Sequence, residues 1–167
     1  MLPDGKRQIL SFLIPGDYLP LLGLSGRPLT FSIRTLTDVD LCVFDRDSMA
    51  KAMASSEPAR RDLVGTLLDQ FSELERRLTD VARRSALGRL ANFIIDLDAR
   101  VSARRGPTNG AFAFPLRQEH LADALGLTTV HVNRTLARLR KEGVIHLEHQ
   151  RMDIRNLPRL HELALES

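Results

Sequence analysis

Apolar and polar positions alternate with a period of two in parts of the first 45 residues, which predicts short β-strands there. The segment RQILSFLIPGDYL is apolar and contains Pro15-Gly16-Asp17, a strong turn signal. In PLTFSIRTLTDVDLCVFD, Thr37-Asp38 divides the alternating run into two strands. So few strands cannot enclose a core by themselves. We therefore expect them to pair with another chain, or the sequence to begin partway through a domain.

After these strands the apolar spacing becomes that of a helix. Asp45 or Asp47 can cap a short helix that runs through about Ala54. Ser56 and Pro58 are residue types expected at the start of a second, much longer helix. One face of this helix resembles a short coiled-coil seam, which favours dimerisation over packing on the chain's own core. The predicted dimer residues are Leu63, Leu67, Phe71, Leu74 and Leu78.

A further helical segment, VARRSALGRLANFIIDLDARVSARRG, follows the long helix. Cations in its last turn and then Gly106-Pro107 mark its end. We expect the long helix to break near Thr79-Asp80. The sequence thus divides into a β-rich part over residues 1–55, a long helix over 56–80 and a C-terminal domain over 81–167.

The C-terminal domain contains the pattern that says most about function. A short strand, Ala111–Phe114, precedes two helices joined by a turn at Gly126, and two short strands joined near Gln150 follow. Helix, turn, helix and β-hairpin in this order predict a winged helix-turn-helix. Gly126 permits the positive φ of the turn. The second helix is anchored by apolar residues at helical spacing, Val132, Leu136 and Leu139.

The second helix of this motif is basic. Residues 128–141 include four basic side chains and no acidic one. Residues 81–167 contain 14 basic and 9 acidic side chains, whereas residues 1–80 contain 10 basic and 12 acidic ones. The net charge of the whole chain is only +3, so the positive charge is concentrated in the C-terminal part. This distribution indicates a polyanionic partner. The side chains predicted to contact DNA are Arg117, Gln118, Thr128, Thr129, Val130, His131, Asn133, Arg134, Arg138 and Lys141.

Some of these assignments have alternatives. His131 can be a surface histidine instead of a base contact, and Asn133 can bind a phosphate instead of a base. Arg117 and Gln118 open the first helix, where they can clamp phosphates or serve as ordinary first-turn residues. Arg134 can be a solvated helix charge, but its position favours a bidentate contact to guanine.

The segment LRQEHLADALGLTTVHVNRTLARLRKEGVI resembles the DNA-binding signature of the Crp/Fnr family of bacterial transcription regulators. RQILSFLIPGDYL and TDVDLCVFDRDSM are similar to parts of that family's cyclic-nucleotide-binding-like β-barrel, and the helix from Ser56 to Asp80 matches its dimer helix. The resemblance implies an α+β fold with a partial jelly-roll effector domain, a dimerisation helix and a winged helix-turn-helix. It also implies a homodimer on double-stranded DNA, with RNA polymerase as a further candidate partner.

Three departures from the family pattern change the expectations. The family barrel usually begins roughly a hundred residues earlier, so we expect a short form or a start upstream. Nucleotide-responsive members carry Gly-Glu and then Arg-Ser, whereas this chain has Leu29 and Thr30 near the second pair and no Glu. We therefore expect no cyclic nucleotide cofactor, and the effector stays open. Val130 replaces a common glutamate of the recognition helix and can touch a thymine methyl group instead.

The sequence contains no catalytic constellation, such as a Gly-rich phosphate loop, a nucleophile elbow or HExxH, so we do not expect an enzyme. His146 and His149 lie in a predicted hairpin and make a poor metal pair. Cys42 is the single cysteine and is expected to be buried in a strand. Because neither a signal peptide nor an apolar run of membrane-spanning length is present, we expect a cytoplasmic protein.

Two alternatives to a DNA-binding homodimer remain. The first is a signal-sensing or protein-interaction module whose winged helix binds a protein. The second is a truncated regulator that pairs only with longer partners. Salt separates DNA binding from an apolar protein interface, because phosphate contacts make affinity fall steeply with ionic strength.

Overall fold

A computed structural model describes residues 7–18 and 28–166. These residues divide into two compact units. Asp17–Arg77 forms one unit, and the described residues on either side of it, before residue 17 and from Leu78 onward, form the other. The region around the winged helix therefore includes a segment from the beginning of the chain.

The unit Asp17–Arg77 contains helix α1, Arg46–Ser55, and most of helix α2, Glu57–Arg83. Of the two predicted caps for α1, Asp45 is the one used, because its Oδ1 accepts a hydrogen bond of 2.8 Å from the Ser48 amide. The predicted cap of α2 is also correct: the Ser56 hydroxyl accepts a bond of 3.3 Å from the Ala59 amide.

The mixed α and β content agrees with the predicted α+β class, but the strands expected in the first 45 residues are not seen. Residues 7–18 and 28–45 contain no strand, while residues 19–27 lie outside the described residues. A strand needs a neighbouring backbone to bond with, and the described part of this region supplies no paired partner. The apolar side chains of the predicted strands are accordingly exposed, for example Leu41 at 60% and Val43 at 89%. Cys42 is likewise exposed instead of buried.

The break after the long helix comes later than predicted. The Arg84 amide bonds to the Asp80 carbonyl at 3.0 Å, so the helical pattern passes through the predicted break at Thr79-Asp80. Ser85 then caps helix α3, Ala86–Arg105, by accepting a bond of 3.1 Å from the Gly88 amide. The long helix therefore ends just before this serine cap, and nothing at Thr79-Asp80 interrupts the backbone hydrogen bonds.

In the unit that continues from Leu78, the elements after α3 have the predicted order of a winged helix. Strand β1, Ala111–Ala113, is followed by helices α4, Gln118–Leu125, and α5, Thr129–Lys141. Strands β2, Ile145–Glu148, and β3, Arg151–Ile154, follow, and helix α6, Leu157–Ala164, comes last. The antiparallel sheet has the order β1-β3-β2. The core is apolar and includes Leu90, Ile94, Val132, Leu139, Met152, Leu160 and Leu163, each fully buried.

Residues 7–16 pack on this unit. The Ile9 amide bonds to the Asp123 carbonyl at 3.1 Å, and the Arg7 guanidinium lies 2.6 Å from the Asp123 carboxylate. The rings of Phe12 and Phe93 meet edge to face with centroids 5.5 Å apart. This segment therefore contacts both α3 and α4.

Two helical glycines provide a matched test of packing. A Cβ at Gly88 would lie 2.6 Å from the Glu166 carbonyl oxygen, whereas one at Gly65 would meet nothing within 4 Å. Gly65→Ala should raise the free energy of unfolding by about 0.5–1 kcal/mol through helix propensity. Gly88→Ala should lower it by about 1–3 kcal/mol because of overpacking. Urea unfolding followed by circular dichroism measures both changes, and equal gains at the two sites would contradict the predicted clash.

Candidate nucleic-acid interface

The turn between α4 and α5 is fixed by local hydrogen bonds. Gly126 ends α4 with φ 65° and ψ 38°, and its amide bonds to the Ala122 carbonyl. This left-handed conformation suits glycine, as predicted. Thr128 then caps α5, and its hydroxyl accepts a bond of 3.2 Å from the His131 amide. The angle between the two helices is therefore set by a cap on each side of the turn.

Arg89 of α3 supports the same turn. Its Nη1 donates to the Leu125 carbonyl at 3.2 Å, and its Nε donates to the Arg84 carbonyl at 3.0 Å. Arg89 was not among the predicted site residues. No local pattern could have identified it, since its contact with Leu125 spans 36 residues.

The buried face of α5 determines which side chains point outward. Val132, Leu136 and Leu139 are buried at 0–3% exposure. With 3.6 residues per turn, the opposite side is a stripe in which successive members are three or four residues apart. This outward stripe consists of Val130, Arg134, Ala137 and Lys141, all exposed.

The remaining predicted residues take three kinds of position. Arg117 and Gln118 are exposed at the start of α4, where the His120 ring nitrogen Nδ1 accepts a bond of 3.2 Å from the Arg117 amide. The exposed residues beside the outward stripe are Thr129, His131, Asn133 and Arg138. Thr128 is exposed as well, although its hydroxyl already serves as the helix cap.

The cations of α5 differ in their surroundings. Among the described residues, no ion pair is found for Arg134, Arg140 or Lys141. Arg138 in contrast lies 2.8 Å from the Glu142 carboxylate and 3.8 Å from that of Glu166. Uncompensated positive charge therefore lies on the outward stripe at Arg134 and Lys141, with Arg140 on the flank of the helix, and this charge favours a polyanionic partner.

Two features beside α5 were missed in the predicted site. Ala137 is the small member of the outward stripe, and a small residue lets another surface approach the helix closely. The tip of the β2–β3 hairpin is formed by His149 and Gln150, both exposed with φ of 47° and 59°. These angles match the two-residue turn that joins antiparallel strands. The hairpin was predicted from its strands, but the exposed residues at its tip were not among the predicted site residues.

The predicted dimer face of α2 is exposed except at its beginning. Leu67, Phe71, Leu74 and Leu78 are 47–66% exposed. Leu63 is 8% exposed and is therefore buried within the chain. The four exposed residues recur every three or four positions, which leaves one continuous apolar face.

Other chemistry is not indicated by the described residues. Among them, no three histidine, cysteine or carboxylate side chains are grouped so that they could hold a metal ion. In the same part of the chain, no helix is both long and apolar enough to span a membrane.

Family models match both ends of the chain. Residues 88–163 match the Crp-like helix-turn-helix domain, and residues 1–56 match the cyclic nucleotide-binding domain. The first match covers α4, α5 and both hairpin strands.

Relatives and solved structures point to the same family. The nitrogen fixation regulation protein FixK of Bradyrhizobium diazoefficiens is 30% identical over 164 residues, which are 98% of this chain and 68% of the relative. The transcriptional activator protein FnrL of Cereibacter sphaeroides is 29% identical, with 89% and 60% covered. The chain thus spans about 60–68% of the length of these two relatives.

Two solved structures share this fold. That of FixK2 from Bradyrhizobium japonicum is 27% identical, with a TM-score of 0.63 over 73% of this chain and 60% of the other. That of a transcriptional regulator of the CRP family from Thermus thermophilus has a TM-score of 0.72 at 21% identity. This match covers 98% of this chain and 80% of the other, and it extends the likeness in fold beyond the winged helix.

Proposed function

This chain belongs to the Crp/Fnr family of transcription regulators, and from that premise we propose that it binds double-stranded DNA as a homodimer and regulates transcription from a two-fold symmetric site. The observation that carries the proposal is the outward stripe of α5, with Arg134 and Lys141 exposed and without an ion pair among the described residues. A helix of this kind, placed after a helix-turn-helix corner, fits the major groove.

The side chains of this surface divide into those that read bases and those that position the duplex. We assign base contacts to Arg134 and to its neighbours Thr129, Val130, His131 and Asn133. Arg134 offers guanine O6 and N7 two donors, and Val130, 56% exposed, offers an apolar surface to a thymine methyl group. Phosphate contacts are assigned to Arg117, Gln118, Thr128, Arg140 and Lys141.

Dimerisation places two recognition helices on one duplex. The exposed apolar face of α2, formed by Leu67, Phe71, Leu74 and Leu78, is the proposed dimer contact. Two-fold symmetry of the protein requires two-fold symmetry of the site, with half-sites about one helical turn apart. Such a regulator works where bacterial DNA lies, in the cytoplasm, and RNA polymerase is its proposed protein partner.

Selection of bound duplexes from a random DNA library at moderate salt tests this function. We expect a two-fold symmetric consensus whose half-sites are centred about 10 base pairs apart. Affinity for the selected duplex should fall steeply with salt, with a slope of about −0.9 per phosphate contact in a plot of log affinity against log salt. A folded protein that enriches no sequence would refute the proposal.

A further inference from the structure

Five charged side chains form a cluster that is separate from the outward stripe of α5. They come from the end of α5, from α6 and from the residues that follow each of these helices, and we call them the α5–α6 ionic cluster. Its members are Arg138, Glu142, Arg159, Glu162 and Glu166.

Arg138 lies at the centre of this cluster. Its Nε donates to Glu142 Oε1 at 2.8 Å, and its Nη1 lies 3.8 Å from Glu166 Oε2. Position 138 is on the flank of α5, between the outward stripe and the buried face. The guanidinium is therefore engaged by two carboxylates of its own chain.

Glu142 connects α5 to α6. Its second carboxylate oxygen lies 3.7 Å from the Arg159 guanidinium, and Arg159 in turn donates to Glu162 at 2.8 Å. The hydrogen bond from Arg138 is the main reason why the pKa of Glu142 lies below its usual value. The same carboxylate thus holds a cation from each of the two helices.

Glu166 connects the cluster to the start of α3. Its backbone carbonyl accepts from the Ser85 hydroxyl at 3.2 Å and from the Ser85 amide at 3.4 Å. Its carboxylate faces Arg138. Ser85 is the cap that follows the break after α2. One residue therefore contacts both the recognition helix and the first residues after the long helix.

We propose that Arg138 is a positioning residue that ties the end of the recognition helix to α6 and to the start of α3, and that it does not bind a DNA phosphate. The inference rests on the proposed DNA-binding function and revises the contact predicted for Arg138. Two carboxylates offset the charge of Arg138, so its guanidinium attracts a phosphate less strongly than a cation without an ion pair does. Arg134 and Lys141 are exposed on the outward stripe and have no such carboxylate neighbour among the described residues. Because base contacts tolerate little displacement, a fixed helix end affects binding without touching DNA.

Neutral variants on both sides of the pair test this assignment. Arg138→Gln and Glu142→Gln are compared in the full chain on the selected duplex over a range of salt concentrations. Their changes in net charge are opposite, so a general electrostatic effect would move the affinity in opposite directions. A positioning role predicts that both variants weaken DNA binding by about two- to fivefold, because both remove the ion pair between Arg138 and Glu142.

The salt slope separates positioning from phosphate contact. Lys141→Gln is the matched control and should reduce the magnitude of the slope by about 0.9, the value expected for one lost phosphate contact. Arg138→Gln should leave the slope unchanged. The double variant should bind as each single variant does, since the two residues act through one interaction. A slope reduced by about 0.9 in Arg138→Gln, together with tighter binding by Glu142→Gln, would overturn the inference.

The interaction between Arg138 and Glu142 can also be measured without DNA. In a pH titration of the Glu142 carboxyl carbon by NMR, Arg138→Gln should raise the midpoint, since it removes the main cause of the lowered pKa. An unchanged midpoint would overturn the inference, as would unchanged affinity in both neutral variants. If the wild type binds no duplex, the proposed function fails, and the role of Arg138 in DNA binding fails with it. Normal wild-type binding with unaffected variants contradicts the role of Arg138 alone.

Discussion

Arg134→Ala is expected to weaken binding to the selected duplex by roughly 5- to 150-fold, the equivalent of about 1–3 kcal/mol for a bidentate contact to guanine. The side chain lies on the outward stripe of α5 and has no ion pair among the described residues. Its removal therefore deprives no described carboxylate of a partner. Fluorescence anisotropy at fixed salt measures the affinity. Repeating the library selection with the variant measures the specificity.

Specificity decides between a base contact and a phosphate contact. If Arg134 reads guanine, the consensus of the variant should relax at one base pair in each half-site and stay unchanged elsewhere. Lys141→Gln serves as the control, because loss of a phosphate contact weakens binding to all sequences about equally. If Arg134→Ala lowers the affinity for all sequences equally and leaves the consensus intact, Arg134 contacts a phosphate and not a base.

The second large effect is expected from Leu74→Glu in the apolar face of α2. Leu74 is 55% exposed between Phe71 and Leu78, and a carboxylate there would have to be desolvated in a dimer. Sedimentation velocity should show a monomer in place of a dimer. Affinity for the two-fold site should fall by about 10²- to 10⁴-fold, because the second half-site is no longer bound within one complex.

Ser72→Glu is the matched control for this substitution. Ser72 is an exposed residue of the same helix and lies on the side away from the apolar face. Ser72→Glu introduces the same charge as Leu74→Glu, but this variant should remain dimeric and bind DNA like the wild type. A dimer that survives Leu74→Glu would place the interface elsewhere and refute the proposed role of this face.

The parts of the fold that could be predicted depend on local chemistry. Asp45 and Ser56 cap helices through hydrogen bonds to amides three residues later, and Gly126 ends α4 through its own backbone angles. Such signals lie within a few residues of one another and can be read from the sequence. The winged helix was predictable because caps, turns and apolar spacing all agree.

What could not be predicted depends on contacts between residues far apart in the chain, or on strands that need partners. Leu63 has the same spacing as the exposed members of the apolar face, and only the folded chain distinguishes it as buried. Arg138 looks like any other basic residue of α5 until Glu166, a residue beyond α6, is seen beside it. The strands predicted around Leu41 are absent for a related reason. Alternating apolar residues indicate which face of a strand would be buried, but they do not supply the neighbouring strand that its backbone must bond with.

The packing of residues 7–16 on α3 and α4 has a consequence for synthesis of the chain. Arg7 and its partner Asp123 are 116 residues apart. Arg7 therefore leaves the ribosome long before α4 exists, and its native contacts can form only after the intervening unit has been made. During that interval apolar side chains such as Phe12 have no native place to pack, so this stretch exposes apolar surface until the C-terminal unit has been made.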